Sequence, residues 1–76
     1  MKYVVVRNEK ESRRIQNKLF NLGYEWRTLR KSYNAGIWYF PTAIIMNSNK
    51  FLSYTYLKNL KSKHYKEIKF LDEIEV

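Results

Sequence analysis

The chain is 76 residues long and carries 15 Lys and Arg against 7 Asp and Glu, a formal charge of +8, with 45% hydrophobic and 17% aromatic residues. That length has room for a single domain, residues 1–76, at a size where one core alone gives marginal stability. The lack of cysteine excludes a disulfide framework or thiolate metal site and points to the cytoplasm, and no apolar run approaches the length of a membrane span.

Met1-Lys2 leads into Tyr3-Val4-Val5-Val6, too short an apolar run for a signal sequence before Arg7-Asn8-Glu9-Lys10. Lys2 to Arg7 reads as a strand whose β-branched valines are apolar on both faces. Asn8 is a good N-cap, and Glu11 follows at capping-box spacing, so a helix begins there. Ile15, Leu19 and Leu22 form its apolar stripe, and Gly23 supplies the left-handed residue that ends it, giving a helix from about Glu9 to Leu22. Its outer face carries Arg13, Arg14, Asn17, Lys18 and Asn21. Glu9 is spaced to pair with Arg13 and Glu11 with Arg14, and Arg14 and Lys18 are the helix cations expected to meet an anion.

Tyr24 to Lys31 and Gly36 to Phe40 read as two strands of a hairpin turning through Ser32-Tyr33-Asn34-Ala35, which would set Arg27, Arg30 and Lys31 beside Tyr33 and Trp38. Ile37-Trp38-Tyr39-Phe40 does not alternate, so as a strand it needs cover on both faces. Pro41 closes it. Ala43 to Asn47 is another strand, and Ser48-Asn49-Lys50 turns into Phe51 to Tyr56. There Phe51, Ser53 and Thr55 share one side, Leu52, Tyr54 and Tyr56 the other. Leu57 to His64 is a basic connection, and Glu67 to Leu71 a last strand. The expected fold is α+β: one helix packed on an antiparallel-rich sheet in β-α-β-β-β-β order. One helix cannot cover both faces, so a homodimer is expected to cover the other.

From Trp26 to Lys66 the chain holds Arg27, Arg30, Lys31, Lys50, Lys58, Lys61, Lys63 and Lys66 without an acid, interleaved with aromatics. A polyanion that also offers flat rings, RNA with unstacked bases, matches both halves of that pattern. Phosphate contacts are assigned to Arg13, Arg14, Lys18, Arg27, Arg30, Lys31, Lys58, Lys61 and Lys63, and stacking to Tyr33 and Trp38. Trp26, next to the helix end, reads as core. His64 is the sole histidine and sits among lysines, and neither a metal cluster, a phosphate loop nor paired carboxylates can be assembled. The chain is therefore expected to be non-enzymatic and without a cofactor, although Lys, Arg and Tyr alone could support an RNA-cleaving toxin.

Leu19-Phe20-Asn21-Leu22-Gly23-Tyr24-Glu25-Trp26, a helix running through Leu-Gly-Tyr into a strand, resembles a pattern of short early proteins of tailed, T-even-like bacteriophages, and Tyr65-Lys66-Glu67-Ile68 resembles their closing motif. The resemblance implies an antitoxin-like protein of the infected cell's cytoplasm. In that reading the basic surface holds RNA, and protein and RNA together inhibit a host defence ribonuclease toxin. The alternative is an inhibitor that binds an acidic surface of a host enzyme without nucleic acid.

Overall fold

The computed structural model describes residues 2–60 and 65–68. Lys61, Lys63, His64 and the end of the strand expected over Glu67 to Leu71 lie outside the described residues. Strand β1 (Lys2–Val6) leads into helix α1 (Glu9–Asn21), followed by β2 (Glu25–Trp26), β3 (Thr42–Met46), β4 (Phe51–Tyr56), a 3-10 turn (Leu57–Asn59) and β5 (Lys66–Glu67). They form a mixed five-stranded sheet in the order β2-β4-β3-β1-β5. The long pairings β1 with β3 and β3 with β4 are antiparallel, and the short pairings at the two edges are parallel. The α+β class holds, while the strand order departs from a simple succession of hairpins.

The helix begins where its cap chemistry dictates: Asn8 is extended and its Oδ1 accepts from the Glu11 backbone N–H at 2.8 Å. The Glu11 carboxylate turns to Arg7, 3.7 Å away, rather than to Arg14, while Glu9 does pair with Arg13 at 3.1 Å. At the other end Gly23 has φ +95°, its N–H donates to the Phe20 carbonyl and Tyr24 donates to that of Leu19, closing a Schellman motif. α1 therefore turns back at the level where β2 can start.

The buried face of α1 is wider and more polar than Ile15 and Leu19 alone, for Ser12, Gln16 and Phe20 are buried beside them. It packs on Val4, Val6, Ile44, Met46 and Leu52, with Trp26, Ile37 and Ile68 filling in around it. Val5, Ala43 and Ile45, which alternate with these and point to the opposite face, are buried in the single chain as well. An uncovered back face, the physical reason for expecting a homodimer, is thus not found at these positions.

Gln16 is the polar exception in this core and is fully bonded. Its Oε1 accepts from Trp26 Nε1 at 3.0 Å and from the Asn34 backbone N–H at 2.8 Å. Its Nε2 donates to Ser12 Oγ at 3.0 Å and to the Asn34 carbonyl at 3.4 Å. All four valences of one amide go to fixing a tryptophan and a loop to the helix.

The hairpin expected over Tyr24–Lys31 and Gly36–Phe40 does not form. β2 stops after Trp26 because the chain reverses at once: Trp26 and Arg30 exchange backbone hydrogen bonds at 2.8 and 2.9 Å, and Arg30 sits at φ 57°. Residues 33–40 are a loop, which resolves the missing alternation of Ile37-Trp38-Tyr39-Phe40. Ile37 is 2% exposed and Phe40 packs on the core, while Trp38 and Tyr39 point out at 72% and 43% exposure. Gln16→Leu keeps the volume but strands the Trp26 and Asn34 donors, and should lower unfolding free energy by about 3 kcal/mol in urea denaturation.

Candidate nucleic-acid interface

Loop 33–40 is pinned from several sides. Asn34 is held on Gln16 and also accepts, through Oδ1, from the Gly36 N–H at 2.9 Å, an Asx turn. A Cβ at Gly36 would lie 2.9 Å from that oxygen, so only glycine fits here without moving Asn34. Ile37 inserts into the core, the buried Thr42 hydroxyl donates to the Tyr39 carbonyl, and Leu57 N–H donates to the Pro41 carbonyl at 3.2 Å. The Phe40–Pro41 peptide bond is cis.

On this anchored loop the exposed aromatics form a ledge. The Trp38 and Tyr39 rings meet edge-on at 6.2 Å, and Tyr39 lies tilted against Tyr56 at 4.8 Å. Lys58 Nζ stands 5.3 Å from the Tyr39 ring centre, and at the loop's beginning the Arg13 guanidinium lies 4.2 Å over Tyr33. Tyr54, 40% exposed, packs edge-on against Trp26 at 6.0 Å. The Trp38-Tyr39-Tyr56 rings with Lys58 beside them offer stacking faces and a phosphate partner together. Trp26, as expected, is core at 4% exposure.

The other expected phosphate-binding residues are dispersed. Arg27 leaves the edge strand beside Phe51, with its guanidinium 4.6 Å from that ring, and Arg30 is paired with Glu25 at 2.7 Å. Neither joins Tyr33 and Trp38, because the expected hairpin is replaced by the reversal at Trp26. Lys18 is half-buried and already engaged. Arg14 and Lys31 are exposed and make no ion pair among the described residues.

Tyr39, Tyr56 and Gln16 were not legible as site residues, since their roles depend on a loop anchored across the chain. Among the described residues, no group of His, Cys, Asp or Glu side chains could hold a metal ion, and no helix is long and apolar enough to cross a membrane. Comparison with protein-family models, with curated proteins and with solved structures gave no match.

The outward setting of Trp38 has a direct check. Trp38→Ala should change stability by no more than about 0.5 kcal/mol, whereas Ile37→Ala, one residue away, should cost about 3 kcal/mol. Urea denaturation of the two variants separates a displayed side chain from an anchoring one.

Proposed function

We propose that the chain is a non-enzymatic module that binds single-stranded RNA through the Trp38-Tyr39-Tyr56 ledge. One observation carries this: Trp38 is 72% exposed on a loop held between Ile37, buried in the core, and Phe40, packed against it. Solvating a large indole in a fixed position gives no benefit to the fold, while it presents a preorganised face for a base to stack on. Lys58 stands at the ledge, the exposed Arg14 and Lys31 add charge elsewhere on the surface for the phosphate backbone, and the net +8 draws a polyanion to it. Stacking is tolerant of base identity, so the reading is of broad recognition of unpaired RNA.

In the phage setting that the sequence resemblance implies, RNA held on this surface is presented to a host defence ribonuclease toxin, and protein and RNA together inhibit it. The ledge stays on the protein, and the toxin meets the RNA.

Nuclease-treated protein titrated with fluorescent single-stranded RNA across a salt series tests the reading. Affinity should fall steeply with salt, and the double variant Lys31→Gln, Lys58→Gln should reduce the log–log slope by about 1.4, since each phosphate neutralised on a single strand is worth about 0.7. Absence of binding at low salt would overturn the proposal and assign the basic surface to an acidic protein partner. An unchanged slope would remove these two lysines from it.

A further inference from the structure

The end of the sheet opposite the ledge holds a second basic feature. Lys2 and Lys66 are register partners on β1 and β5, so their side chains leave the same face of adjacent strands. Like charges in that relation repel, and the fold gains nothing from the pairing. Lys50 approaches from the β3–β4 turn, and the three lysines line one open pocket of about 690 Å³, within the size range of small-ligand sites.

We infer that this pocket is a binding site for a phosphate or oligophosphate group. Among the described residues that line it there is no acid to neutralise the lysines. Glu25, whose backbone N–H donates to the Lys50 carbonyl, has its carboxylate on Arg30. Ser48 adds a hydroxyl donor at the rim, and the buried Met46 supplies an apolar wall.

Lys50 has a second peculiarity. It lies at φ 70°, the left-handed region that glycine and asparagine occupy most readily, so the turn keeps a lysine where the backbone favours other residues. Its ammonium is then held 4.4 Å from the Tyr24 ring centre, on the pocket's wall. The turn itself is firm: Asn47 Nδ2 donates to the Phe51 carbonyl at 2.9 Å and to Ser53 Oγ at 2.8 Å. Three lysines lining one pocket from two strands and a fixed turn offer charge-assisted hydrogen bonds to a multiply charged phosphate. The site is separate from the ledge and does not rest on RNA binding there.

A nuclear magnetic resonance titration with pyrophosphate at constant ionic strength tests the inference. Saturable shifts are expected at the backbone amides of Ser48, Lys50 and Lys66, with affinity about tenfold or more weaker in the triple variant Lys2→Gln, Lys50→Asn, Lys66→Gln. That variant sheds like charges and places asparagine at the left-handed position, so it should melt no lower than the parent, which a thermal scan verifies. Shifts that do not saturate and spread over all lysines, or equal affinity in the folded variant, would overturn the site.

Two sources of the phosphate are separated by comparing 5′-phosphorylated with 5′-hydroxyl RNA of one sequence. A preference for the phosphorylated strand that disappears in the triple variant assigns the pocket to strand ends; equal binding of both strands, with pyrophosphate still bound, assigns it to free phosphates. Trp38→Ala should leave pyrophosphate affinity unchanged, so failure of the ledge and failure of the pocket read out independently.

Discussion

The hydrogen bonds of one buried amide hold this domain's long loop in place. Gln16 joins the middle of the helix to the indole of Trp26 on the edge strand and to both backbone groups of Asn34 in the long loop. A polar group buried at 0% exposure is tolerable only if every donor and acceptor is matched, and here each is. The edge strand is two residues long, far too short to position the whole connection from Arg27 to Pro41 by pairing alone. Gln16 does that instead, and the orientation of loop 33–40 follows from it: Asn34 on the amide, Ile37 in the core, Trp38 and Tyr39 turned outward.

The fold thereby places two chemistries at opposite ends of the sheet. Where β4 ends, an aromatic ledge beside Lys58 faces solvent; where β1 and β5 begin, lysines line a pocket with an apolar wall. Charge of one sign is thus not spread evenly. Part is neutralised locally, as in Arg30 on Glu25 and Arg13 on Glu9, and part is left concentrated where an anion would relieve it. A small domain that keeps an exposed tryptophan and paired lysines on adjacent strands is conceding stability at those positions, and both concessions fit polyanion recognition.

Much of the scaffold was legible because its signals are local. Three valines give a strand buried on both sides, Asn8 caps the helix, Gly23 ends it, and alternation from Phe51 to Tyr56 separates Leu52 and Tyr54 from Ser53. The segment from Arg27 to Phe40 was not, for physical reasons that can be named. Its reversal depends on Arg30 in a left-handed conformation that arginine does not advertise, and its position depends on Gln16, which reads from sequence as one more polar helix residue. The cations were visible as a set, but their partners were not: Phe51 for Arg27, Glu25 for Arg30 and Tyr33 for Arg13 are consequences of the fold. The lysine pocket needs a parallel pairing between strands from opposite halves of the chain, which has no local signature.

The two tryptophans make the central claim measurable in one spectrum. Trp26 is buried with its indole N–H on Gln16, and Trp38 is displayed on the ledge, so their indole proton–nitrogen resonances report on core and surface separately. On addition of single-stranded RNA, the Trp38 resonance should shift progressively to saturation while that of Trp26 stays near its starting position. A Trp38 resonance that does not move while RNA binds elsewhere, or one that does not respond to RNA at all, would contradict the ledge as the RNA-binding surface.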